Sequence, residues 1–306
     1  MAAAVQPKNS TRLLKRPRRA RQSGHTLLLV GPYFIALLLV GALPAVYALI
    51  QSFISPLGGG FAGLLNYQTV LTNFRFIASF GNVGLLLLVW LPMMVVGVVG
   101  LALLIDAARG RFGKFMLFIY YLPGALAGMT NFMLWLLILD PNVSPIRFLW
   151  NATGQTSIDG ILASPMHVVW VLAAMLFYQG AGSWLLIIYG GLNSVSDEVI
   201  EAARIDGCSA WQMAWRVKLP IIAPWIGYLV LMNFAYGFQI FLEPQVLATA
   251  AQGILSPQWS PNQLSYTYAY EVGNTGAAAA LSVILLVITL ALGVLIITRT
   301  GMLERS

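Results

Sequence analysis

The sequence EVIEAARIDGCSAWQMAWRVKLP, Glu198–Pro220, is a charged stretch between two long apolar runs. The chain has 17 Lys and Arg and 10 Asp and Glu among its 306 residues, and six of these lie within this stretch. The flanking runs, Met166–Gly191 and Ile221–Leu242, contain no Asp, Glu, Lys or Arg. This contrast indicates a polar segment that connects two membrane-spanning helices.

The rest of the chain supports the same interpretation. It is 59% hydrophobic and only 9% charged, whereas soluble domains carry about 25% charged residues. In lipid the backbone must be satisfied within helices or closed barrels, and runs of about 20 apolar residues favour helices. Six such runs are Leu27–Ile50, Val83–Ile105, Phe115–Leu139, Met166–Gly191, Ile221–Leu242 and Ala277–Thr298. We therefore expect an all-α integral membrane protein with six transmembrane helices.

Lysine and arginine are distributed unevenly between the segments that connect these spans. They precede span one and follow spans two, four and six, whereas the opposite side has only Arg75 and Arg147. By the positive-inside rule both termini are cytoplasmic. The net charge of +7 is thus an orientation signal, and nucleic-acid binding is not expected.

The predicted organisation is a basic cytoplasmic tail, residues 1–23, followed by one six-helix domain, residues 24–306. Its inner loop covers about residues 192–220, and its outer segments are Gln51–Asn82, Asp140–Pro165 and Glu243–Gly276. These outer segments are rich in Gly, Pro, Asn and Ser, as loops are. A short interfacial helix is expected near Tyr67 and Phe74, and a kink is expected at Pro123-Gly124. The spacing of Gly124 and Gly128 allows close helix approach.

The inner loop has the signals of two short helices. Ser196 can cap the first, with Asp197 and Glu198 in its first turn, and Gly207 suits the left-handed position that ends it. Ser209 can cap the second helix, which runs through Lys218, and Pro220 then opens span five. Trp211, Met213 and Trp215 are expected to pack this element against the membrane domain. Its small-residue patch at Ala202-Ala203 suits docking of a cytoplasmic partner; a solvated amphipathic loop is the alternative.

The spacing of this loop resembles the EAA motif of binding-protein-dependent ABC importer permeases, in their carbohydrate branch. The matching residues are Glu201, Ala202, Ala203, Asp206, Gly207, Val217, Leu219 and Pro220. Cys208 and Val217 are mild departures from the family pattern. FAGLLNYQTVLTN, GRFGKFMLFIYYLPGALAG and SYTYAYEVGNTGAAAALS resemble other family segments, whereas ATAAQGILSPQWSP replaces the usual Thr-Gly-Gly-Gly-Pro turn.

The resemblance implies a permease of type I importer architecture with no catalytic residues of its own. It implies a second permease chain, usually a paralogue in this branch, two cytoplasmic ATPases docked on the EAA loops, and an extracytoplasmic solute-binding protein. No G-x-x-x-x-G-K-[ST] loop occurs in the sequence, so ATP and Mg are expected on the partner ATPase, with no cofactor or metal on this chain.

Polar residues within the spans are candidates for a solute path, because burying them in lipid is costly. They are Asn131, Tyr178, Gln179, Asn233, Tyr236, Gln239 and Glu243. Amides, a carboxylate and aromatic rings suit a sugar-like solute. Each can instead bond a neighbouring helix or lie at the interface.

Two other classes of protein compete with the importer permease. An ATP-independent secondary transporter or channel would be expected to carry ionisable residues within its spans, and these are nearly absent. An intramembrane enzyme would need a catalytic constellation, and the sequence shows none.

Overall fold

The computed structural model describes residues 30–56, 58–108, 110–125, 128–251 and 253–300, and the side chains of Met129, Arg299 and Thr300 are not described within these ranges. The predicted basic tail, residues 1–23, lies outside them. The helices are α1 (Val30–Gln51), α2 (Leu65–Leu71), α3 (Phe74–Ala107), α4 (Arg111–Ala125), α5 (Met129–Leu139), α6 (Arg147–Ala152), α7 (Ile158–Leu162), α8 (Pro165–Asn193), α9 (Asp197–Ile205), α10 (Ala210–Phe238), α11 (Leu242–Ala250), α12 (Pro261–Tyr266) and α13 (Thr275–Thr300).

Five of these helices, α1, α3, α8, α10 and α13, are long and apolar enough to cross a membrane. The pair α4 and α5 passes the same test only together, with a bend of 95° between them. The part of the chain that the structure describes therefore has five candidate spans, or six if the bent pair is one span. The expectation of an all-helical membrane protein is confirmed, and the third predicted span, for which a kink was expected, is this bent pair.

The break in the third span has a local cause. Pro123 lies near the end of α4 and Gly128 precedes α5 with φ +68°, a left-handed conformation that suits glycine. A proline within a helix removes one backbone hydrogen bond and crowds the preceding turn. The sequence predicted a kink at Pro123-Gly124, and the structure instead ends the helix two residues later.

The chain divides into two compact units, residues 1–47 and 48–306. Within the first unit, the described residues 30–47 are helical and mostly exposed, with a π-helical turn at Leu37–Ala42 that ends two residues before Pro44. Apolar side chains that face outward are expected where the surrounding solvent is lipid rather than water.

In the second unit α8 is the central helix, and it packs against α3, α4 and α10. Its buried face includes Leu172, Met175, Leu185 and Ile188, each at most 1% exposed. Small residues bring α4 and α8 unusually close: a Cβ built on Gly182 would lie 2.2 Å from the Tyr120 carbonyl oxygen. One built on Gly124 would lie 2.8 Å from the Gln179 carbonyl oxygen. The close approach predicted at Gly124 is confirmed, with α8 as the neighbouring helix.

A second cluster of buried residues closes the outer end of the bundle around Val70, Leu264, Tyr268 and Leu281. Here α2 packs against the start of α13, where Asn66 donates to the backbone carbonyls of Ser52 and Ile54 at 2.9 and 2.8 Å. The predicted short helix is confirmed as α2, and its position at the membrane interface stays a prediction. Phe74, however, begins the long helix α3.

The outer segments are more helical than the sequence predicted. Residues 74–82 extend α3 beyond the expected start at Val83, and α6, α7, α11 and α12 lie within segments expected to be loops. Apolar residues of these helices belong to the buried core: Ile161, Leu162 and Leu247 are at most 5% exposed. Tertiary burial thus stabilises short helices that have weak local signals.

Candidate coupling element and transport cavity

The charged stretch that follows α8 forms the helix α9 and the tight turn expected after it. Ser196 is the N-cap residue, and Asp197 and Glu198 lie in the first turn, as predicted. The helix ends in a Schellman motif: the Gly207 N–H donates to the Arg204 carbonyl and the Cys208 N–H donates to the Ala203 carbonyl, each at 3.0 Å. Gly207 has φ +78°, so the predicted left-handed glycine is confirmed.

The side chains of the motif on α9 are mostly presented outward. Glu201, Ala202, Arg204 and Asp206 are exposed, and Ala203 is half-buried. Ile205 is 86% exposed. An exposed isoleucine at the end of a polar, small-residue helix gives this element an apolar contact point as well as charged ones.

The second helix of the loop begins at Ser209 with a capping box. The Ser209 hydroxyl accepts from the Gln212 N–H at 3.3 Å, and the Gln212 side chain accepts from the Ser209 N–H at 2.9 Å. No break separates this helix from span five: Ala210–Phe238 is continuous, with a π-helical turn at Met213–Lys218. Pro220 lacks an N–H, and its ring would crowd the preceding turn of a regular α-helix. The wider π-helical turn ends at Lys218, two residues before this proline.

Met213 is buried against the membrane domain, as predicted, whereas Trp211 and Trp215 are 71% and 54% exposed. The expectation that the two tryptophans pack inward is wrong. They lie four residues apart, so they share one helix face, and their ring centroids are 5.4 Å apart. Helix α10 connects this face to span five without a break.

An ion pair joins the base of this element to span two. Lys218 Nζ donates to Asp106 Oδ2, and the two side chains are only 14% and 19% exposed. The pair borders a cavity of about 300 Å³ beneath α9, whose walls include Ile200, Arg204, Cys208 and Met213. Sequence reasoning did not single out Asp106, because a lone carboxylate at the end of an apolar run does not indicate which residue it pairs with.

A second cavity, of about 370 Å³, lies among α3, α4, α8 and α10 within the spanning region. Three of the predicted path residues line it: Gln179 from α8, and Asn233 and Tyr236 from α10. Trp90 and Ser183 also line it. A concave site with apolar walls and a few convergent polar groups is the usual form of a small-molecule site.

The other predicted path residues lie around this cavity rather than in its wall. Asn131 is fully buried and donates to Gln179 Oε1 at 3.3 Å. Tyr178 packs edge-on against Trp135, with ring centroids 5.8 Å apart. Gln239 is exposed just beyond the end of α10.

Glu243 is nearly inaccessible, at 2% exposure, in the first turn of α11. Burial raises the pKa of its carboxyl group, and the hydroxyl of Tyr236 donates to its Oε1 at 2.8 Å. The chain leaves helical geometry between Phe238 and Leu242, so the fifth span ends earlier than the predicted Leu242. This interruption folds Glu243 back toward a tyrosine of the cavity wall.

The structure adds Trp90 to the candidate residues. Its indole lines the cavity and its ring centroid lies 6.1 Å from that of Tyr236. The buried Nε1 has no hydrogen-bond partner among the described residues. A tryptophan within an apolar span is indistinguishable from an ordinary core residue in the sequence, so no local signal could have identified it.

The helical spans, the interrupted third span and the cytoplasmic helix pair define a multi-span transport protein. Residues 33–300 match the family described as "Binding-protein-dependent transport system inner membrane component". The chain belongs to this family and is an inner-membrane permease component of such an import system. The EAA resemblance is thereby confirmed at the level of the family.

Relatives and solved structures agree with this assignment. The multiple sugar-binding transport system permease protein MsmF of Streptococcus mutans is 28% identical over 237 residues, which are 74% of this chain and 77% of MsmF. The sn-glycerol-3-phosphate transport system permease protein UgpA of Agrobacterium fabrum is 28% identical over 279 residues, 87% of this chain and 90% of UgpA. A bacterial alginate ABC transporter, crystallised with an alginate pentasaccharide-bound periplasmic protein, has the same fold: the TM-score is 0.77 at 18% identity, covering 92% of this chain and 96% of that one.

Proposed function

We propose that this permease forms part of the translocation path for a sugar or sugar-like solute. The observation that carries the proposal is the 370 Å³ cavity within the spans, where Gln179, Asn233 and Tyr236 converge from two helices. Amide and hydroxyl groups can exchange hydrogen bonds with sugar hydroxyls, and aromatic rings can cover the apolar faces of a sugar ring. A sugar-transport role is also supported by the name of the relative MsmF.

Energy for transport comes from a separate ATPase chain, which holds ATP and Mg and docks on Glu201, Ala202, Ala203, Asp206 and Gly207. The exposed face of α9 supports this proposal, because its polar and small residues are free of contacts that would bury them. Leu219 and Pro220 then connect the docking element to span five through the continuous helix α10. ATP-driven closure of the ATPases biases the spans toward the outward-open arrangement, because it favours one position of α9.

The complete importer contains a second permease, an extracytoplasmic solute-binding protein and two ATPase subunits. A paralogous second permease is the favoured pairing. The alginate transporter, which shares the fold, was crystallised with a periplasmic protein bound to its ligand. That arrangement supports delivery of solute to the outer end of this chain.

Docking is tested by co-purification of the ATPase with Glu201→Lys and Gly207→Leu variants of the whole transporter. Each variant is expected to lose most of the bound ATPase, because Glu201 is exposed on α9 and Gly207 holds the turn after it. Glu271→Lys is the matched charge reversal, at an exposed position beyond the opposite end of α10, and it should retain the ATPase. Normal ATPase recovery with both coupling variants would refute this role for α9.

The solute path is tested by uptake of radiolabelled sugars into cells that express the whole importer. Gln179→Ala and Asn233→Ala are expected to reduce uptake at least tenfold, with membrane insertion and ATPase association retained. Gln68→Ala removes the same kind of side chain from an exposed position on α2 and should leave uptake unchanged. Full uptake in both path variants would remove the cavity from the path.

A further inference from the structure

Three aromatic side chains form a continuous cluster of tilted rings beyond the end of α10. The ring centroids of Phe241 and Tyr266 are 5.3 Å apart, and those of Tyr266 and Tyr270 are 4.8 Å apart. The two tyrosine rings remain accessible, since Tyr266 is 41% and Tyr270 is 76% exposed. Together with Asn262 these residues border an open cavity of about 290 Å³. We call these four residues the aromatic platform.

The platform lies at the opposite end of α10 from the coupling element. Helix α10 has 29 residues, which corresponds to about 43 Å at the usual rise, enough to cross the bilayer. Because the coupling element is cytoplasmic, the platform faces the side from which solute arrives. It is also adjacent to the proposed path, as the amide of Asn262 donates to the Gln239 backbone carbonyl at 3.0 Å.

The platform is held on rigid elements. Ser260 caps α12 with a capping box, and its hydroxyl donates to the Ile240 carbonyl at 2.8 Å. Ser265 donates to the Ala278 carbonyl at 3.1 Å, which ties α12 to α13. The two tyrosines are four residues apart on a continuous helical segment and therefore share one face. An exposed pair of rings in contact with each other on such a scaffold is preorganised for a ligand.

The chemistry of the platform favours a neutral ring-bearing molecule. Phenol faces pack against the C–H face of a sugar ring, and the amide of Asn262 lies beside them to orient ring hydroxyls. Neither this cavity nor the one within the spans has a Lys or Arg among the described residues that line it. The exposed carboxylate Glu271 directly follows Tyr270 in the chain, and a negative charge there disfavours a phosphate or a uronate.

We propose that Phe241, Asn262, Tyr266 and Tyr270 form an outer subsite that binds the ring face of a neutral saccharide before it enters the cavity within the spans. This subsite rests on the proposed function, since it assumes that the solute is a sugar. It narrows the class of solute to neutral saccharides. Glycerol 3-phosphate and acidic oligosaccharides are excluded as ligands of this subsite because they bring negative charge to a cavity whose described lining residues include no Lys or Arg.

Saturation-transfer NMR on the permease pair with its ATPases in nanodiscs tests the subsite directly. The soluble binding protein is left out, because it would bind sugar itself. The probes are maltotriose, as a neutral oligosaccharide, glycerol 3-phosphate and a mannuronate trisaccharide. Ring protons of maltotriose are expected to receive saturation, and the two anions are expected to receive none.

The variants assign the signal to the platform. Tyr266→Ala with Tyr270→Ala should weaken maltotriose binding about three- to tenfold, as expected for loss of stacked aromatic contacts. Tyr270→Phe keeps the ring and should remain within twofold of the unaltered protein. Phe74→Ala is the control: Phe74 is an 81% exposed aromatic residue that borders neither cavity.

The two proposals fail in different ways. Maltotriose binding that is unchanged in the double variant, or absent from the unaltered complex, overturns the platform, as does preferred binding of either anion. Loss of assembly of the permease pair in the double variant, with Tyr270→Phe intact, would identify the platform as a subunit interface and also overturn it. Sugar uptake by cells that depends on Gln179 and Asn233 would leave the proposed function standing in each case.

Discussion

The close approach of α4 and α8 provides the sharpest test of the packing. In Gly182→Ala the new methyl carbon would lie 2.2 Å from the Tyr120 carbonyl oxygen and 2.8 Å from the Tyr121 Cα. Both are backbone atoms, so no side-chain rotation can relieve the contact. Reaching an ordinary separation of 3.4 Å requires α4 to move away from α8 by about 1 Å. Overpacking of this kind costs about 1–3 kcal/mol, and we expect the upper end because two helices must separate.

Gly190→Ala on the same helix is the matched control. No heavy atom lies within 4 Å of a Cβ built there, so the substitution should only gain helix propensity, about 0.5–1 kcal/mol. Gly182→Ala has the same gain offset by the clash, and the two variants should therefore differ by about 2–3 kcal/mol.

The assay is thermal unfolding of the purified transporter in one detergent, followed by tryptophan fluorescence. At about 2–4 °C per kcal/mol, the midpoint of Gly182→Ala should lie about 4–12 °C below that of Gly190→Ala. Sugar uptake should also fall in Gly182→Ala, because α4 carries Gly124 in the wall of the cavity within the spans. Equal midpoints, or a higher midpoint for Gly182→Ala, would refute the close packing of these helices.

The other predictions concern single contacts. Asp106→Asn and Lys218→Met should each lower the thermal midpoint. The double variant should lose less stability than the two single variants added together, with a coupling energy of about 0.5–3 kcal/mol. Additive losses would mean that the ion pair contributes nothing. Gly207→Ala should cost about 1–2 kcal/mol of stability, because an alanine at φ +78° is strained. The affinity for the ATPase should fall as well. Gly190→Ala should leave that affinity unchanged. Burial raises the pKa of Glu243 above its ordinary value of 4.5. The folded state therefore holds the carboxyl proton of Glu243 more tightly than the unfolded chain does. Stability falls as pH rises above 4.5 toward the raised pKa. Glu243→Gln should therefore reduce the drop in thermal midpoint between pH 5 and pH 8; an unchanged drop would show that another group is responsible.

The spans and the coupling element were largely predictable because their signals are local. Long apolar runs mark segments that must satisfy their backbone inside lipid, and five of the six predicted spans correspond to continuous helices. In the coupling element, the capping side chain of Ser209 and the left-handed Gly207 were predicted from residue type alone. Ser196 occupies the predicted N-cap position without a side-chain capping hydrogen bond. Capping depends on side chains within a few residues of the helix end, so the sequence contains the necessary information.

The break within the third span and the short outer helices were not predictable in the same way. Proline indicates a kink but does not say whether the helix bends or ends, because that depends on which neighbours satisfy the freed carbonyls. Helix α12 has a capping box and yet lies in a segment with the composition of a loop. It packs against α3 as well as α13, and α3 is distant in the sequence.

The sequence by itself determined that this chain crosses the membrane repeatedly, which side is basic, and where a capped, charged helix lies between spans four and five. Each of these follows from composition or from spacings of a few residues. Only the tertiary structure decided which polar residues meet: it brings Gln179, Asn233 and Tyr236 to one cavity, places Tyr178 against Trp135, and pairs Asp106 with Lys218. These contacts depend on how far each helix is rotated and how closely it approaches its neighbours. That rotation is set by packing between helices distant in the chain.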